Sequence, residues 1–252
     1  MKIKYISLQR VNTNIRCKVY YPDDMKIKSL VIYGHGFTGH KDNKAAEKLA
    51  EKLISKNKGF GLLTFDLPCH GEDVKKKLSL TDCLWYYEVV INDAKAVLKA
   101  EKLYLTATSF GAFLALLYIS EKENPFEKIV LRSSAINMYK TLSDALITDE
   151  ISEKLNKKKE AEVGFDRKII ITSQFVDELQ KIKLLEKDFM DYADDILMIH
   201  GTKDEIAPFE DAKRFSEENV IDFEAVEGAD HRFKDINKLE YANARTIMFF
   251  EV

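Results

Sequence analysis

Residues 3–8 and 15–21 alternate apolar and polar side chains with a period of two, the pattern of half-buried strands, and together they suit an antiparallel hairpin at a sheet edge. The pattern then changes. Short, largely apolar runs at 30–33, 61–65, 103–107, 128–131, 196–199 and 220–226 alternate with stretches whose apolar residues recur every three or four positions. Ala46, Leu49, Ala50, Leu53 and Ile54 mark one face of a helix, and Tyr87, Ile91, Ala94 and Leu98 mark another. Residues 110–119 and 209–217 continue the series, and a last helix is expected from about Tyr241. Eight strands with helices between them predict an α/β fold, a mostly parallel sheet covered by helices on both faces.

The alternation breaks between Asn137 and Asp194, a stretch too long for an ordinary loop. It holds a charge run at 154–162, a strand-like apolar run at 168–172 and a helical pattern at 175–182. We read it as a cap inserted after the sixth strand, so that residues 1–136 and 195–252 form the core domain and 137–194 the cap. A cap near the strand C-termini would overhang anything placed there and shape a substrate pocket.

Composition changes this picture little. In a chain of 252 residues, 46% hydrophobic, there is material for one large core. The formal net charge of −3 gives no reason to expect nucleic acid or an anionic membrane as partner. The first residues begin an alternating strand rather than a basic segment followed by an apolar run, so no leader is expected. No apolar stretch reaches the roughly 18 residues that a membrane span needs. Cys17, Cys69 and Cys83 are odd in number and lack metal-ligand spacing, which suits reduced thiols and a cytoplasmic location. A small molecule is the expected partner, and a homodimer is left open.

The chemistry is concentrated at strand ends. The segment Leu103-Tyr104-Leu105-Thr106-Ala107-Thr108-Ser109-Phe110-Gly111 runs from an apolar strand through small residues into a helical pattern. A strand, a sharp turn and a helix in that order lift a serine hydroxyl above a sheet, the nucleophile elbow. Ser109 is therefore the candidate nucleophile. Its unspecialised alternative is a serine capping the helix that follows. A serine needs a base, and the base needs an orienting acid.

Both are available downstream. Residues 196–199 lead into His200-Gly201-Thr202-Lys203-Asp204-Glu205-Ile206-Ala207-Pro208, and 226–233 contain Asp230-His231. Serine, acid, histidine is the order in which α/β-hydrolases carry their triad. Asp204 is the candidate acid, with Glu205 and Asp230 as rivals, and His231 the candidate base. His35 and His200 each follow a strand and precede glycine, which suggests turn-shaping hydrogen bonds. The N–H of Phe110, next after the serine, is one expected oxyanion donor, and the loop after 30–33 supplies the second. That loop, Gly34-His35-Gly36-Phe37-Thr38-Gly39, lacks the Gly-Lys-Ser/Thr ending of a phosphate loop.

On these motifs the chain resembles the α/β-hydrolases over nearly its whole length. Two further stretches, His35-Gly36-Phe37-Thr38-Gly39-His40-Lys41 and Phe65-Asp66-Leu67-Pro68-Cys69-His70-Gly71, make it most similar to small bacterial cinnamoyl (feruloyl) esterases. Those enzymes usually carry glycine where Ala107 and Cys69 stand here. The resemblance implies a cofactor-free, metal-free serine esterase acting on hydroxycinnamoyl esters. It implies Phe37 as the second oxyanion donor, His35 and Gly36 as substrate-binding residues, and Asp144 in the cap as a partner for a ring hydroxyl. The matching cap tyrosine falls near Thr172. A peptidase of the prolyl-oligopeptidase or aminopeptidase type, an acyl thioesterase and a hydrolase-fold ligand-binding protein are the alternatives.

Overall fold

The computed structural model describes residues 1–252 except 24, 25, 74, 76 and 252. β1 (Lys2–Arg10) and β2 (Thr13–Tyr21) form an antiparallel hairpin with Leu8 opposite Ile15. β2 is also antiparallel to β4 (Phe60–Phe65), which lies beside β3 (Ser29–Gly34). From there the sheet is parallel through β5 (Lys102–Thr108), β6 (Lys128–Arg132), β9 (Ile196–Gly201) and β10 (Asp222–Val226). Among the described residues the main sheet thus has eight strands, in the order β1-β2-β4-β3-β5-β6-β9-β10. Its central strands are apolar on both faces because helices cover both.

One layer is made by α1 (Lys44–Lys56) and α8 (Ile236–Phe250), with Val31, Tyr33, Leu62, Val130, Leu197 and Ile199 turned toward it. The other contains α2 (Leu80–Leu98) and α3 (Phe110–Glu121). α3 is buried continuously from Phe110 to Ile119, so it has no polar face to show. α7 (Phe209–Glu218) packs beside β9 and β10.

Two helices begin earlier than their apolar spacing suggests. α2 starts at Leu80, where the Ser79 side chain accepts the Asp82 N–H and Leu80 and Cys83 extend the buried face. α8 starts at Ile236, capped by Asp235, because polar residues in its first turn hide the period.

The stretch between β6 and β9 carries α4 (Met138–Leu146), α5 (Asp149–Lys158), a two-stranded ribbon of β7 (Glu160–Val163) and β8 (Ile169–Thr172), and α6 (Ser173–Lys181). The charge run is therefore divided between a solvated helix and a short strand. Ile169, Ile171, Phe175 and Leu179 join the main core. Phe175 lies edge-on to Phe110, with ring centroids 6.3 Å apart, which ties α6 to the start of α3. Among the described residues, no helix is long and apolar enough to cross a membrane.

Candidate active site

Ser109 sits between β5 and α3 with φ 53° and ψ −115°, a conformation that non-glycine residues rarely adopt. Two close approaches hold it there. A β-carbon on Gly111 would lie 2.5 Å from the Gly34 carbonyl oxygen and 2.6 Å from that of His35, so only glycine lets α3 start this near β3. On the other side Ala107 stands in register with Gly34, which has no side chain to collide with it. Alanine at the first elbow position is thus accommodated by glycine across the strand pair.

His231 approaches from the loop after β10. Its Nε2 is 3.0 Å from Ser109 Oγ, and its Nδ1 is 2.8 Å and 2.9 Å from the two oxygens of Asp204. An ionised carboxylate only accepts, so Nδ1 carries the proton and the Nε2 lone pair faces the serine. Ser133 Oγ donates to the His231 carbonyl, and the His231 N–H donates to Glu205 at 3.1 Å. Glu205 therefore holds the backbone of the histidine, while Asp230 accepts from the Lys234 N–H and pairs with its ammonium.

The Asp204 side chain is wholly buried and oversupplied with donors. The N–H groups of Ile206 and Ala207 donate to Oδ1, and His200 Nε2 lies 3.0 Å from Oδ2. Burial by itself would raise the acid's pKa, but the hydrogen bonds from His200 and His231 outweigh it and hold the carboxyl well below the usual range. His200 was legible only as a turn residue. The signal that could have found it is its place four residues before the acid.

The loop after β3 lines the other side. Gly36 is close enough that a β-carbon there would be 3.3 Å from the Ser109 Cβ. Phe37 lines the cavity and stands edge-on to Phe110 at 5.5 Å, which puts the two expected oxyanion residues side by side. The Phe110 N–H is in the first turn of α3, where no intrahelical acceptor exists.

The substrate-binding role implied by the resemblance is corrected for His35, which makes the turn-shaping hydrogen bonds that its place before Gly36 suggested. It is 1% exposed and does not line the cavity. Its Nε2 accepts the Leu67 N–H at 3.1 Å and its Nδ1 bonds the Gly36 carbonyl at 2.8 Å, so it shapes two loops and has nothing left for substrate. Burial pushes its pKa down to about 4. His70, given no role from sequence, is buried against His35, Phe37 and Phe110. Burial, and then His35, push its pKa down to about 3. Cys69 has φ 66°, which accounts for the glycine usual at that position in the esterases it resembles.

A cavity of about 530 Å³ opens over Ser109 and His231. α4 gives it Met138, Thr141, Leu142, Ala145 and Leu146. Asp144 is not among the lining residues. Its side chain is 62% exposed and paired with Lys140. The spacing 138, 141, 142, 145 is one helix face, and position 144 lies off it. A ring-hydroxyl contact from Asp144 is overturned by that placement.

Geometrically the site offers a serine hydroxyl, a base in the right tautomer and a buried acid, with the two expected oxyanion residues adjoining them. This is the arrangement that nucleophilic acyl transfer requires.

Residues 29–167 match the family described as alpha/beta hydrolase fold. Among curated proteins none matches the chain. Several solved structures are similar in fold. Est1E from Butyrivibrio proteoclasticus, with ferulic acid bound, aligns with a TM-score of 0.80 at 21% identity, covering 97% of each chain. The esterase domain of a Rhodothermus marinus protein gives 0.72 at 18% identity, covering 99% of this chain and 98% of that one. The Pyrococcus furiosus esterase Pf2001 gives 0.70 at 19% identity, covering 99% and 92%.

Proposed function

The chain belongs to the alpha/beta hydrolase fold family, and on that footing we propose that it is a serine carboxylic-ester hydrolase working through an acyl-enzyme. The observation that carries this reading is the unbroken path from Ser109 Oγ through His231 to Asp204, at 3.0 Å and 2.8 Å. Ser109 Oγ attacks the ester carbonyl carbon while His231 Nε2 takes its proton. The Phe37 and Phe110 N–H groups stabilise the oxyanion. His231 then hands the proton to the departing alcohol, and Asp204 stabilises the imidazolium formed between the two steps. Water, activated by the same histidine, releases the acid and restores Ser109.

Residues 137–194 act as a cap that sets acyl specificity. Supporting this, α4 contributes an apolar face to the cavity, and Phe165, Asp166 and Arg167 line it from the β7–β8 turn. The acyl group it suits is small and aromatic, in keeping with the ferulic acid bound to Est1E. The polar contact to a ring hydroxyl falls to Thr141, whose buried Oγ1 has no partner. A panel of p-nitrophenyl, hydroxycinnamoyl, aminoacyl-anilide and acyl-CoA substrates, scored by kcat/KM, tests the assignment. Fluorophosphonate labelling at Ser109 with turnover of the esters supports it, while turnover of the anilides or the thioesters alone would replace it with a peptidase or a thioesterase.

A further inference from the structure

The cavity carries polar groups that acyl transfer does not use. Tyr33, the last side chain of β3 before Gly34, is 3% exposed, lines the cavity, and its hydroxyl has no hydrogen-bond partner. Arg132, the last residue of β6, lines the same cavity, and its buried Nε also has no partner. Its guanidinium is seated over the Phe233 ring at 5.2 Å, which fixes its position without neutralising its charge. Among the described residues, a partly buried guanidinium with no carboxylate in ion-pair range and a buried hydroxyl without a partner, both on the wall of one cavity, cost stability that the Phe233 ring offsets only in part. Such a pair marks a place where a ligand completes the bonding.

Both residues stand on strands that flank the one ending at the serine. Thr108 is in register with Arg132, and the Ser109 N–H donates to the Arg132 carbonyl at 3.0 Å. Tyr33 is in register with Thr106 on the other side of the same strand.

The remaining charges agree. Asp42 lines the cavity but is held by Lys18, Lys41 and the Tyr5 hydroxyl. Asp166 is held by Arg232 at 3.1 Å. Among the described residues, Arg132, Arg167 and Lys44 line the cavity with no carboxylate in ion-pair range. Lys44 opens α1, whose positive end adds to the field; its capping Asn43 already takes the Ala45 and Ala46 N–H groups, so the helix gives no direct bond.

We infer that the cavity selects substrates bearing an anionic group, a carboxylate or a phosphate, contacted by the Arg132 guanidinium and the Tyr33 hydroxyl, with Arg167 and Lys44 drawing it in. The inference rests on the reading of Ser109 as an ester-cleaving nucleophile, and it adds the charge class of the substrate.

The test uses matched substrate pairs. On the acyl side, the p-nitrophenyl hemiester of glutaric acid is compared with its neutral methyl ester. On the alcohol side, 2-butyryloxyethyl phosphate is compared with 2-butyryloxyethanol. The wild-type protein should prefer the anion in one pair by about 10-fold or more in kcat/KM, the pair itself telling which side carries the charge. That preference should shrink on raising salt from 0.05 to 0.5 M. Arg132→Met should abolish it, and Tyr33→Phe should lower it about threefold or more. Tyr33→Phe removes a hydroxyl that bonds nothing in the fold, so it decides the matter even if Arg132→Met does not fold. No anion preference in either pair, or a preference unmoved by salt and by Tyr33→Phe, overturns the inference. Fluorophosphonate labelling and p-nitrophenyl butyrate turnover of the wild type are run alongside. If both are absent, the esterase reading has failed; if both are present without anion preference, only the charge selectivity has.

Discussion

His200 Nε2 lies 3.0 Å from Oδ2 of Asp204, the oxygen that also receives the His231 hydrogen bond. The same nitrogen is 3.1 Å from the Ala207 carbonyl. Both neighbours accept, so His200 carries its proton on Nε2, and its buried Nδ1 is left without a partner. His200 is a positioning residue for the acid. His200→Phe should lower kcat by about 10–100-fold, as expected for a lost hydrogen bond to a buried charge. A carboxylate with one donor fewer attracts the His231 proton more strongly, so the acid limb of the kcat/KM profile should move to higher pH. His200→Gln keeps an N–H donor and should recover part of both effects. An unchanged acid limb in His200→Phe would assign His200 to packing alone.

Asp204→Asn should reduce kcat by about 10⁴, because the amide favours the wrong histidine tautomer. Glu205→Gln should cost far less, since its contact is to the His231 backbone and an amide oxygen can still accept. Asp230→Asn should be close to neutral, its partners being Lys234 groups outside the cavity. Rate measurements on the three variants decide the order, and Asp230→Asn as the worst of them would move the acid.

Ser109→Ala should lose about 10⁶ in kcat with the fold kept. Ser109→Gly should be just as inactive and yet more stable than Ser109→Ala. The φ of 53° at this position stores strain of order 1–3 kcal/mol for a residue with a β-carbon. Glycine relieves it, less roughly 0.5–1 kcal/mol of added chain entropy. Urea melts of the two variants should therefore differ by about 1 kcal/mol in favour of glycine, and the reverse order would argue that the elbow is unstrained.

Acid should destabilise the protein earlier than carboxylate titration explains. His35 and His70 fall from an ordinary 6.5 to about 4 and about 3 when folded. Between 6.5 and about 4 the unfolded chain binds their protons and the folded chain does not, so stability falls as pH falls through that window. The slope approaches about 1.4 kcal/mol per pH unit for each histidine. Stability should decline between pH 6.5 and 5, above the range in which Asp and Glu titrate. A flat profile there would mean that the two imidazoles are not held neutral.

Cap control of specificity should act through α4. Leu142→Ala enlarges the cavity on the face that also carries Met138 and Ala145. It should shift the preferred p-nitrophenyl ester toward bulkier acyl groups by about 10-fold in relative kcat/KM, the scale of a methylene or two in an apolar pocket. Asp144→Ala, on the solvent side and paired with Lys140, should leave that ratio where it was.

Ser109, Asp204 and His231 were readable from sequence because each lies where a short apolar strand gives way to small or turn-forming residues, and those signals are local to a few positions. The alternation of strands and helices was readable for the same reason, since burial on one or both faces writes its own period into the chain. What the tertiary structure decided is which side chains meet. His35 looked like a pocket residue by its place in a motif, but its ring turns inward to Leu67, 32 residues away. Asp144 lies in the right segment and on the wrong face of α4, and that face is chosen by packing. Tyr33 and Arg132 come from two strands flanking β5, nearly a hundred residues apart in the chain, and nothing in either neighbourhood signals the other. Their shared wall exists only because sheet register aligns β3, β5 and β6 beneath one cavity. A local pattern specifies an element and its buried face, whereas the pairing of elements is a long-range outcome of the whole core.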